Sequence, residues 1–266
     1  MRVALFQGPE HSGPVEANVA AIAAAARSAA AAGADLLVCP ELAATGDNIG
    51  AAAHDLAEPA DGPLSARLAG IAAGAGVALV YGYPERAPEG VYNATQALDR
   101  DGQRLANYRK CHLFGELDRG LFLPGTTGVV QFDLGGLRVG LLTCYDVEFP
   151  EAVRAHALAG TELLVVPTGL MEPYGVVSER MVPVRAMESQ LFVAYANRCG
   201  AEGDLTYCGS SCVVAPDGTE LARAGRHEQL LLADVDRAAL HASRRVNTYL
   251  ADRRPELYST DQELHA

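Results

Sequence analysis

No stretch of this 266-residue chain stays apolar for long enough to cross a membrane. The longest candidate, residues 17–34, is mostly alanine, is broken by Arg27 and Ser28, and reads as a buried or half-buried helix. The opening residues, MRVALFQG, begin like a strand and lack the charged region and small-residue cleavage site of a secretory leader, so a cytoplasmic location is expected. Positive charge is also short: 21 Lys and Arg stand against 33 Asp and Glu, a formal net charge of −12. Such a surface repels phosphate backbones and anionic lipid, so neither nucleic acid nor membrane is expected as a partner. The six cysteines, at 39, 111, 144, 199, 208 and 212, include one close pair, Cys208 and Cys212, with no second Cys/His pair to complete a zinc set. They are expected to be reduced thiols, and no metal is expected.

What is present is a repeat. RVALFQ near the start resembles LRVGLLTC in the middle, and GADLLVCPE resembles GTELLVVPT. Helical stretches (residues 15–32 and 150–158) separate the members of each pair. A second helical stretch and a third apolar strand follow in both halves: residues 64–75 then VALVYG, and residues 178–190 then LFVAYAN. Each half closes on a hairpin that turns at Asp-Gly, Asp101-Gly102 in one and Asp217-Gly218 in the other. Near-continuous Val/Leu/Ala strands joined by helices imply parallel neighbours covered on both faces. Two such sheets, each with helices on one face, bury their remaining faces against each other. The expected fold is therefore a four-layer α-β-β-α sandwich with an internal pseudo-twofold duplication, a single domain over residues 1–246. The tail, residues 247–266, carries Tyr249, Leu250, Leu257 and Tyr258 and is expected to dock on a partner subunit, with simple fraying as the alternative.

Sites in α/β sheets form beyond the carboxyl ends of strands. There the halves differ: Glu41 ends one strand where the second half has Thr168, Cys144 ends another, and Lys110 follows a hairpin strand. Singly, each has a plain reading: a buried small residue, a loop acid, a surface lysine. Together they make a device. The carboxylate takes the thiol proton, and the ammonium stabilises thiolate and oxyanion. The Tyr145 N–H, after the nucleophile at a strand-to-helix turn, supplies a second oxyanion donor.

CPE with Glu41, YRKCHLFGELD with Lys110 and TCYDVEFPE with Cys144 resemble the three signature motifs of the nitrilase superfamily of carbon–nitrogen hydrolases. The resemblance covers essentially the whole chain. It implies an α-β-β-α sandwich, a Glu41–Lys110–Cys144 triad, and a second glutamate that supports the lysine or thiol and positions substrate, matched by Glu116. The residues around Cys144 narrow it further. Nitrilases proper usually have Cys-Trp-Glu at the nucleophile, whereas this chain has Cys-Tyr-Asp and no tryptophan. That favours amides, and TGDNIG, VYGYPER, LFGELDRGLF and NRCGAEGDLTYCG are similar to segments of 5-aminopentanamidases and of aliphatic or stereoselective amidases. Two departures stand out: Asp47 where those relatives commonly have an aromatic residue, and GLMEPY with Gly169 and Glu172.

The expected reaction is hydrolysis of a small aliphatic carboxamide, ω-amino amides among the candidates, to carboxylate and ammonia through a Cys144 thioester, with no cofactor. The expected partners are the amide substrate, water and further copies of the chain as a homodimer or larger assembly. Asp47, Asp146, Glu148 and Glu172 are candidate acids for a distal ammonium, with helix capping or arginine pairing as the alternative role. Rival readings are an N-carbamoyl amino acid hydrolase with the same triad, a Cys–His enzyme using His112 or His156, a catalytically idle ligand-binding or assembly module, and a redox-sensing Cys144.

Overall fold

The computed structural model describes residues 1–258. The first half runs β1 (Arg2–Gln7), α1 (Val15–Ala31), β2 (Leu36–Val38), a short α2 (Ala52–Leu56), α3 (Pro63–Ala75), β3 (Ala78–Ala87), β4 (Gly90–Leu98), β5 (Arg104–Arg109) and α4 (Gly115–Arg119). The second runs β6 (Val130–Leu134), β7 (Leu137–Leu141), α5 (Pro150–Leu158), β8 (Leu163–Thr168), α6 (Val182–Ser189), β9 (Phe192–Asn197), β10 (Ala201–Glu202), β11 (Leu205–Thr206), β12 (Cys212–Val214), β13 (Glu220–Arg223), β14 (Gln229–Asp234) and α7 (Arg237–Val246). Two six-stranded sheets result, ordered β14-β1-β2-β3-β4-β5 and β13-β12-β9-β8-β7-β6. β1, β2 and β3 are mutually parallel, as are β7, β8 and β9, while the hairpin strands add antiparallel members.

The four layers follow from alternation along the strands. Val3, Leu5, Leu36, Val38 and Val80 belong to the core shared with the second sheet. Ala4, Phe6, Leu37, Leu79 and Tyr81 instead pack with Val19, Ile22, Ala26 and Leu68 of α1 and α3. Successive side chains of a strand point to opposite faces, so both faces of this sheet are buried. No described helix is long and apolar enough to cross a membrane.

Three features differ from the expectation. Each sheet gains an edge strand outside the repeat. β6 joins β7 through Gly135-Gly136, and β14 returns from the far end of the chain to pair with β1 in the register Arg2↔Asp234. The helical stretch over 178–190 is broken: Val177–Met181 is a π turn and only Val182–Ser189 is α, because Pro183 falls at the junction with no N–H to continue the ladder. The start of the tail lies on its own chain. Leu250 packs against the core, its N–H donates to Gln190 Oε1 at 3.0 Å, and the Gln190 amide donates to the Asn247 carbonyl. Tyr249, Leu257 and Tyr258 remain exposed, and the rest of the tail lies outside the described residues.

Candidate active site

The end of β2 carries Glu41 to the junction of the sheets. A close backbone crossing fixes it there. A Cβ on Gly82 of β3 would stand 2.3 Å from the Leu42 nitrogen, so only glycine lets the strand approach. Leu42 itself takes φ +46°. The buried Arg198 guanidinium, from the end of β9, pins this turn: Nε donates to the Glu41 carbonyl and Nη2 to the Leu42 carbonyl, both at 3.0 Å. Three donors then hold the Glu41 carboxylate and leave it room to accept a proton. Oε1 accepts from Asn93 Nδ2 at 2.8 Å and Lys110 Nζ at 2.7 Å, and Oε2 accepts from the Gly169 N–H at 2.9 Å.

Lys110, just past β5, is the only lysine in the chain. It is 2% exposed and donates also to Asp118 Oδ2 at 2.6 Å, which the Phe114 N–H supports at 2.8 Å. Burial works against its charge, but the Glu41 and Asp118 carboxylates outweigh that and hold the ammonium well above its ordinary value.

Cys144 follows β7 at φ +47°, the left-handed region that favours glycine, at the head of a 3₁₀ turn, Cys144–Glu148. Thr143 and Asp146 close a capping box around it. The Tyr145 N–H has no backbone acceptor among the described residues. Burial pushes the Cys144 thiol well above its ordinary range and the Glu41 charge adds to this, while Lys110 and the Gly169 N–H oppose it. The resting nucleophile is thus a neutral thiol in contact with a carboxylate, which can take the proton as attack occurs. A preformed thiolate is not what this arrangement favours.

The structure brings Glu41, Lys110, Cys144 and Tyr145 together and moves three other residues out. Glu116 is exposed, and Asp118 holds the lysine in its place. The two positions lie about 200° apart on a helix, so α4 can turn only one of them inward. Asp146 is no substrate contact. It is 0% exposed and accepts from the Thr143 N–H, Tyr108 OH, the His112 N–H and His112 Nδ1 at 2.8–3.1 Å, tying the lysine segment to the cysteine turn. Glu172 faces solvent and pairs with Arg226. Neither rival histidine serves the thiol: His112 is spent on Asp146, and His156 is buried against Thr161.

Asp118, Asn93 and Arg198 are absent from the sequence reading. Asp118 sits inside the quoted LFGELD, but helical phase alone decides between it and Glu116. Asn93 and Arg198 carry no local signal.

These parts, a thiol beside a buried carboxylate, a buried ammonium and a free N–H at a strained turn, define an acyl-transfer site. The carbon–nitrogen hydrolase family matches residues 2–245, and the chain belongs to it, within the nitrilase superfamily. It is 49% identical over 260 residues, 97% of this chain and 90% of the relative, to a Pseudomonas protegens protein named "Hydrolase in pqqF 5'region". It is 40% identical over 224 residues, 83% and 80% of the two chains, to an (R)-stereoselective amidase of a Pseudomonas species. A solved amidase from Nesterenkonia sp. AN1 superposes with a TM-score of 0.84 at 36% identity, covering 97% of this chain and 98% of that one. In that structure, a Glu-to-Gln variant, acrylamide has undergone Michael addition at the active-site cysteine, and a Cys-to-Ala variant of the same amidase holds butyramide.

Proposed function

We propose that this chain is an amidase that converts a small aliphatic carboxamide to carboxylate and ammonia through a thioester on Cys144, ω-amino amides among its substrates. The observation that carries this reading is the fixed Glu41 carboxylate, held by Asn93, Lys110 and the Gly169 N–H with the Cys144 thiol against it. Glu41 accepts the thiol proton as sulfur attacks the amide carbon. Lys110 and the Tyr145 N–H receive the oxyanion. The carbon–nitrogen bond breaks, Glu41 returns the proton to the nitrogen, and ammonia leaves. Water, deprotonated by the same carboxylate, attacks the thioester. The carboxylic acid departs and sulfur regains its proton, so one amide and one water give one acid and one ammonia.

The Cys-Tyr-Asp nucleophile segment supports amides over nitriles. Met187, Val246 and Tyr249 expose apolar surface around a groove of about 790 Å³ away from the thiol, which supports a homodimer or larger assembly seated on α6, α7 and the tail. The test is ammonia release from aliphatic amides, 5-aminopentanamide, an N-carbamoyl amino acid and a nitrile, with intact-mass detection of the acyl adduct on Cys144. Ammonia from an amide with an adduct on Cys144 supports the reading. Carbon dioxide released together with ammonia from the N-carbamoyl compound assigns the sister hydrolase reaction. A folded protein with an unreactive Cys144 and no turnover leaves a binding module.

A further inference from the structure

The two departures named in the sequence, Asp47 and Gly169, come together in space. A Cβ on Gly169 would stand 2.6 Å from Asp47 Oδ2 and 3.2 Å from Glu41 Oε2. Any side chain at position 169 would therefore collide with the Asp47 carboxylate, and the bare glycine is what lets a second acid lie beside the catalytic one. Asp47 is 9% exposed. Tyr207 OH lies 2.9 Å from its Oδ2, and none of the hydrogen bonds among the described residues reaches its Oδ1.

The other charges around it are already engaged. Glu202 Oε2 accepts from the N–H groups of Asp47 and Asn48 at 3.0 and 2.9 Å, lies 2.9 Å from the Tyr207 hydroxyl, whose one proton serves Asp47 or Glu202 but not both, and lies 3.8 Å from Arg198 Nη1. Arg198 is spent on Glu202, Ser12 and two carbonyls. Lys110 is spent on Glu41 and Asp118. A buried carboxyl with an open oxygen, next to a second carboxylate and with no cation of its own, is a socket for a cation that the protein does not supply.

We propose that Asp47 is a specificity-determining residue that receives a primary ammonium borne by the amide substrate, with Gly169 giving it room, so that the enzyme selects amino amides over uncharged amides of the same length. This rests on the amidase reading above and adds the substrate's second functional group to it. The electrostatics agree. Burial first, then the charges of Glu41, Asp118 and Glu202 against that of Arg198, push the Asp47 carboxyl up to about 8. The upward shift favours the neutral carboxyl, and an arriving ammonium favours the ionised one. KM for an amino amide accordingly falls as pH rises toward 8.

The test compares straight-chain amino amides, glycinamide to 5-aminopentanamide, with uncharged isosteres ending in methyl, hexanamide for the longest. Wild type is expected to favour the amino amide at its best length by about 10- to 100-fold in kcat/KM, the range of a hydrogen bond to a charged group. Asp47→Asn should bring that ratio close to one, mainly through KM. A readout without turnover is protection of Cys144 from iodoacetamide by n-butylammonium, expected in wild type and lost in Asp47→Asn. Amide hydrolysis with no preference for amino amides, or a preference that survives Asp47→Asn and vanishes in Glu148→Gln, overturns the assignment to Asp47 while leaving the amidase intact. No hydrolysis of any amide overturns the amidase reading itself. Absence of n-butylammonium protection overturns the ammonium socket whatever the turnover.

Discussion

After β2 the chain reads Pro40-Glu41, and at the same place in the second half β8 itself ends in Pro167-Thr168. The Thr168 hydroxyl donates back to the Val166 carbonyl at 3.2 Å. Counted from the two Asp-Gly turns, the partner of Lys110 is Arg226, which lies on the surface against Glu172. The partner of the Thr143-Cys144 step is Gln7-Gly8, and there a buried neutral amide closes the junction. Gln7 Nε2 donates to the carbonyls of Gly225 and His227 at 2.8 and 2.7 Å, and Oε1 accepts the Ser211 N–H at 2.8 Å. One backbone plan is thus finished twice, once with neutral hydrogen bonds and once with buried charge. The neutral version shows that the fold does not need the ions. Burying Glu41, Lys110 and Asp118 costs desolvation that a neutral junction avoids, and the return on it is chemistry.

That contrast can be broken at either end. Cys144→Ala should remove turnover entirely while leaving thermal unfolding unchanged, and full activity in the variant would dismiss Cys144 as nucleophile. Asp118→Asn should lower kcat/KM about 10- to 100-fold by loosening an oxyanion donor, whereas Glu116→Gln should change nothing, and the reverse order would return the supporting role to Glu116. Next comes a pH slope confined to the charged junction. Asp47 titrates near 3.8 when unfolded and about 8 when folded. Between those values the folded state holds a proton that the unfolded state lacks, so stability falls as pH rises, by at most about 1.4 kcal/mol per unit. Asp47→Asn should match wild type at pH 4 and exceed it at pH 8 in chemical denaturation, and parallel curves would refute the shift. The smallest effect belongs to the neutral junction. Gln7→Leu strands the buried Ser211 N–H, while the Gly225 and His227 carbonyls belong to exposed residues and can turn to water, so the change should cost about 1–3 kcal/mol with kcat near wild type, and a kinetic defect there would mean that the two junctions are coupled.

Much of this was legible before any coordinates. The duplicated strand–helix order and the paired Asp-Gly turns specify two similar sheets, and the differences between the halves at strand ends single out Glu41, Lys110 and Cys144. The lone lysine is a further signal, since the other 20 basic residues are arginines. What stayed hidden depends on distant partners. Asp146 suits a helix cap and a substrate contact equally well until Tyr108 and His112 are seen to claim it. β14 is an ordinary apolar segment whose place beside β1 no neighbouring residue records. The meeting of Asp47 with Gly169 joins residues more than a hundred positions apart.

The return of β14 also bears on how the protein is made. While the chain is being synthesised, β1 emerges first and its outer edge stays unpaired until residues 229–234 arrive to cover it. An open strand edge is a template for other chains, so through most of translation the first half presents a surface that must be shielded or must wait. The nucleophile and its base are in the same position, for Glu41 is made early on one sheet and Cys144 later on the other. The nascent protein therefore has no half-active stage, and its reactive centre comes into being only when the two sheets close.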